Sequence, residues 1–98
     1  MGGPRRQPII KFGSHGDKDY FVSGELALEV DKGHKVIRGY SIVPSENILK
    51  NLKISLAGFF NSQVPTIVLP IRKEPSEAKL KAAFKELEKR LEEIYKSH

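Results

Sequence analysis

The chain has 98 residues, of which 39% are hydrophobic and 30% charged, with a formal net charge of +5 at pH 7. That size suits one domain with a modest core, and the balance of apolar and charged residues is that of a folded protein rather than a disordered one. The lack of cysteine excludes disulfides, thiolate metal sites and cysteine nucleophiles, and no apolar run is long enough to span a membrane.

Met1-Gly2-Gly3-Pro4-Arg5-Arg6-Gln7 leads into no apolar signal core, so residues 1–7 are expected to be a flexible basic tail on a single domain, 8–98, in the cytoplasm. Ile9-Ile10-Lys11-Phe12 is short and β-rich, and Gly13-Ser14-His15-Gly16-Asp17 ends it with loop chemistry. From Asp19 to Val30, Tyr20, Val22, Leu26, Leu28 and Val30 share one parity, while Ser23, Glu25, Glu29 and Asp31 share the other. This predicts one half-buried strand, with Gly24 marking a bulge or bend. Asp31-Lys32-Gly33 reads as a hairpin connection in which Gly33 supplies a positive φ.

A third strand is expected over 34–43 and is stopped by Pro44. Ser45 can then cap a helix over 45–60, in which Leu49, Leu52, Leu56 and Phe59 or Phe60 recur at helical spacing. Ile54-Ser55-Leu56 is also compatible with a strand, so residues 48–60 admit both readings. Val64 to Ile71, interrupted by Pro65 and Pro70, reads as an edge strand because proline cannot donate to a sheet ladder.

The clearest element is a final helix over 76–96. Leu80, Phe84, Leu87, Leu91 and Ile94 recur at alternating steps of four and three, which places all five on one face. Such a stripe needs a partner, either the protein's own sheet or the same helix of a second copy. Hence these five residues are also candidates for self-association as a homodimer, with an edge strand as the other seam. The expected fold is α+β and two-layered: a mostly antiparallel sheet of about four strands, ordered β-β-β-α-β-α, with both helices on one face.

The positive charge is unevenly spread. Residues 1–24 carry a net +2 and 25–46 a net −1, residues 47–73 carry Lys50, Lys53, Arg72 and Lys73 with no acid, and 74–98 are neutral. An acid-free basic stretch suits contact with a polyanion, since each neutralised phosphate needs a nearby cation. The alternative is a solvated lysine-rich surface. A single methionine, few Asn and Gln, and charge carried mainly by Lys and Glu give a thermophile-like composition.

Arg38-Gly39-Tyr40-Ser41-Ile42-Val43 resembles the centre of the ribonucleoprotein octapeptide in RNA-recognition-motif domains. The resemblance implies that Tyr40 stacks on an unpaired base while Arg38 holds a phosphate. Ser41 and Ile42 depart from the small residue and the aromatic of that motif, and a strand whose Tyr40 packs in a core explains the same string. Gly13-Ser14-His15-Gly16 matches the Gly-x-x-Gly of K-homology domains, but here it lies between strands and reads as a turn.

His15, Asp17, Asp19 and His34 are the residues that could gather into a metal or acid–base site, but their spacing matches no ligand pattern. No catalytic residue, metal or cofactor is therefore expected. The function expected is that of a small basic nucleic-acid-associated protein, RNA or ribonucleoprotein being favoured. Its contact residues would be Arg5, Arg6, Lys11, Phe12, Arg38, Tyr40, Lys50, Lys53, Arg72 and Lys73. A protein-interaction or assembly module is the alternative.

Overall fold

The computed structural model describes residues 8–41 and 56–96. Five strands form one antiparallel sheet: β1 (Ile10–His15), β2 (Lys18–Ser23), β3 (Leu26–Asp31), β4 (Val36–Tyr40) and β5 (Ile67–Pro70). Each strand lies beside its neighbour in sequence, giving the order β1-β2-β3-β4-β5. A short helix, α1 (Leu56–Asn61), precedes β5, and the long helix α2 (Glu77–Lys96) closes the chain. The fold is α+β. The expected tail, the end of the third strand, Pro44, Ser45, Leu49 and Leu52 lie outside the described residues.

The sheet has five strands rather than four because the run from Asp19 to Val30 doubles back. Gly24, at φ 63°, turns β2 into β3 together with Glu25, and Gly16, at φ 60°, turns β1 into β2 together with Asp17. A glycine at the first of two turn positions matches the type II′ turn, whose twist suits a hairpin. The fold-back reverses the expected faces. Tyr20 pairs with Glu29 and Phe21 with Leu28, so Phe21 shares a face with Leu28 and Val30, while Tyr20 and Val22 share the other with Glu29 and Asp31.

Helix α2 covers the first face. Leu80, Ala83, Phe84 and Leu87 pack with Leu28, Val30 and Ile37, and Phe21, Leu26, Ile67, Leu69 and Leu91 border this core. Ser76 starts the helix, its hydroxyl accepting the Lys79 N–H at 3.2 Å. The stripe thus meets its own sheet, and a seam between copies built on Leu80, Phe84 and Leu87 would require this core to open. Leu91 is half-buried against it, and Ile94 is 41% exposed.

Helix α1 lies on the opposite face, so the two helices do not share one. Phe60 stacks on Tyr20 with ring centroids 4.8 Å apart and an interplanar angle of 16°, and tilts against Tyr40 at 4.9 Å. Ala27 completes this second core, with Phe12, Val22 and Phe59 at its border. The division follows from strand alternation: β2 and β4 carry large apolar or aromatic side chains on both faces, and each face needs its own cover.

Gly39 makes the α2 face close. A methyl group there would sit 2.7 Å from Ile67 Cγ1 and 3.2 Å from Leu87 Cδ1. The glycine of the Arg-Gly-Tyr string is thus required by packing between β4, β5 and α2.

Candidate nucleic-acid interface

Among the described residues, the contact residues suggested by the sequence do not gather in one place. Arg5, Arg6, Lys50 and Lys53 lie outside the described residues. Lys11 is exposed on β1, 3.7 Å from Asp19. Phe12, at the bulge between Lys11 and Gly13, packs against the Tyr20 and Phe60 cluster. Arg72 and Lys73 are exposed just beyond β5.

Arg38 and Tyr40 face inward, onto a buried polar network. The Arg38 guanidinium donates to Glu29 Oε1 at 3.1 Å and to Asp31 Oδ2 at 2.9 Å. Tyr20 and Tyr40 donate their hydroxyls to the same Glu29, at 2.8 and 3.2 Å. Glu29 and Asp31 are 3% and 2% exposed, although their parity suggested a solvent face. They are buried because one cation and two phenols satisfy them. Tyr40, 4% exposed and against Phe60, presents no ring face to a base in this arrangement. Its hydroxyl is held protonated above the ordinary phenol range, chiefly by burial and then by the Glu29 charge.

Asp31 links this network to a surface loop. Its Oδ1 accepts the His34 N–H at 3.0 Å and its Oδ2 meets His34 Nδ1 at 2.8 Å. Burial alone would raise the Asp31 carboxyl, but hydrogen bonds from Arg38 and from His34 outweigh it and hold the group well below the usual carboxylate range. The 32–35 loop is thereby anchored at its centre.

The same loop is tied down at both ends. Lys32 N–H donates to the Asp17 carbonyl and Ile71 N–H to the Lys35 carbonyl, each at 3.0 Å. Lys35, not Gly33, takes the left-handed conformation, at φ 58°. For a side-chain-bearing residue that costs about 1–2 kcal/mol, which the cross-link to Ile71 offsets in part.

These ties bring the 32–35 loop beside residues 71–74. Together Lys32, Lys35, Ile71, Arg72, Lys73 and Glu74 line an open depression of about 140 Å³. Lys32 lies between two acids, 3.3 Å from Asp19 and 3.9 Å from Glu74. Lys35, Arg72 and Lys73 have no carboxylate within ion-pair distance among the described residues. Four cations around a depression with one carboxylate in its described lining give a local positive potential suited to phosphate.

Lys32 and Lys35 were hidden in the sequence by their segment's net −1. That sum counts Glu29 and Asp31, whose charge is spent inside the sheet on Arg38. The signal available was positional: the two lysines flank a hairpin turn, where side chains point to solvent, whereas the acids sit within a strand.

Of the residues considered for metal or acid–base chemistry, His34 is held by Asp31, which is outside that set. Asp19 accepts the Ser14 hydroxyl at 2.9 Å and neighbours Lys11 and Lys32. These outweigh the upward push of burial and hold its carboxyl below the usual carboxylate range. Among the described residues no three His, Asp or Glu side chains are grouped to hold a metal, and no helix is long and apolar enough to cross a membrane. Comparison with protein-family models, with curated proteins and with solved structures gave no match.

Proposed function

We propose that this is a small cytoplasmic nucleic-acid-associated protein, RNA being favoured, that grips the phosphate backbone at the end of its sheet. The observation that carries this reading is the convergence of Lys35, Arg72 and Lys73, with Lys32 beside them, around one depression bordered by the single carboxylate of Glu74. The loop that presents Lys32 and Lys35 is fixed by four hydrogen bonds, so little ordering beyond the lysine side chains themselves is needed on binding. Arg5, Arg6, Lys50 and Lys53 would add contacts if they reach the same phosphates.

The test is binding of labelled RNA over a salt series. For about three to four phosphate contacts, a fourfold rise in salt should weaken binding by roughly 40- to 150-fold. Reversing charge with Arg72→Glu and Lys73→Glu, both exposed, should lower affinity without changing the melting temperature by more than a few degrees. Absence of binding at low salt, or binding indifferent to salt and to these changes, refutes the proposal.

A further inference from the structure

The aromatic residues decide which form of nucleic acid such a site can hold. The chain has five Phe and three Tyr and no Trp, and all eight lie among the described residues. Tyr20, Tyr40, Phe60 and Phe84 are buried. Phe12, Phe21 and Phe59 are half-buried, each packed against one of the two cores. Tyr95 alone is broadly exposed, at 74%. It stands near the end of α2, whose 20 residues extend roughly 30 Å from the end that follows the 71–74 segment.

Proteins that hold single strands combine a basic groove with aromatic platforms on which successive bases stack. Here the basic depression has no aromatic residue in its lining, which consists of lysines, one arginine, Ile71 and Glu74. A site of that kind gains nothing from an unpaired base. Its gain comes from phosphate density, which is higher along a duplex, where counterion release per contact is also larger, about 0.9 against 0.7.

We infer that the ligand of the Lys32, Lys35, Arg72 and Lys73 site is a double-helical nucleic acid, read through its backbone and without base stacking. This inference rests on the proposed nucleic-acid function and narrows it. It also reverses the stacking roles that the sequence suggested for Tyr40 and Phe12.

The test compares a short RNA duplex with a uridine strand of the same length, which forms no stable pairing, by fluorescence anisotropy of the full chain across a salt series. The duplex should bind at least several-fold more tightly. The R72E/K73E variant should lower the duplex salt slope by about 2, and Y95A should leave both affinities unchanged. Equal or tighter binding of the uridine strand, or its loss in Y95A, overturns the inference while leaving the backbone-contact reading intact. If neither ligand binds in a salt-dependent way, the functional proposal itself fails.

Discussion

At the residue scale, Arg38 holds the most consequential position. Its guanidinium bonds two carboxylates that are almost fully buried, and the two tyrosine hydroxyls on Glu29 cannot replace its charge. Arg38→Met should therefore destabilise the fold by about 3–5 kcal/mol, the range found when one partner of a buried ion pair is removed. Chemical denaturation of the purified variant measures it. A loss below about 1 kcal/mol would show that solvent reaches Glu29 and Asp31. Gly39 is the second such position: Gly39→Ala brings a methyl into Ile67 and Leu87, and the overpacking should cost about 1–3 kcal/mol. The same denaturation curve measures it, and a neutral result would mean that α2 can shift outward.

At the scale of elements, α2 was the most legible part of the sequence because five large apolar residues at helical spacing define a face whatever they pack against. The structure identifies that partner as β3, β4 and β5 of the same chain. Leu87, fully buried in the core, should cost about 2–5 kcal/mol when cut to alanine, read as a lowered urea midpoint with the elution volume of the folded protein unchanged. Leu87→Glu should unfold the chain rather than dissociate a complex. Less was legible in the sheet. Alternation over 19–30 shows a strand but cannot show where it folds back, since Gly24 is equally compatible with a bulge, and one turn there swaps the faces of Tyr20 and Phe21. Parity suggests a solvent face for Glu29 and Asp31 because it carries no information about a partner nine or seven positions away on the next strand. The depression was illegible for the same reason, the 32–35 and 71–74 segments being brought together by the β4–β5 pairing and the Ile71 to Lys35 backbone hydrogen bond.

At the scale of the whole molecule, the buried polar network sets limits of pH as well as of sequence. Asp31 and Asp19 are more acidic folded than unfolded, so their contribution is complete above the unfolded carboxylate range near pH 4 and is lost as pH falls through their folded values. Tyr20 and Tyr40 are shifted upward, chiefly by burial. Their contribution is complete below the unfolded value near pH 10 and is lost as pH rises beyond it. Urea midpoints should thus form a plateau between these limits and fall on both sides. A midpoint that holds steady well below pH 4 would contradict the assigned role of Asp31.

Neighbour-to-neighbour strand order also bears on how the chain reaches this state. Each hairpin joins segments only a few residues apart, and such hairpins close within about 1–10 μs. Docking α2 is different, because Leu87 must find Leu28 and Ile37 across more than half the chain. Until it does, the apolar face of the sheet stays wet. Helix α2, synthesised after the whole sheet, therefore acts as the latch of the fold, and a nascent chain arrested before residue 77 would hold finished hairpins with one core still open.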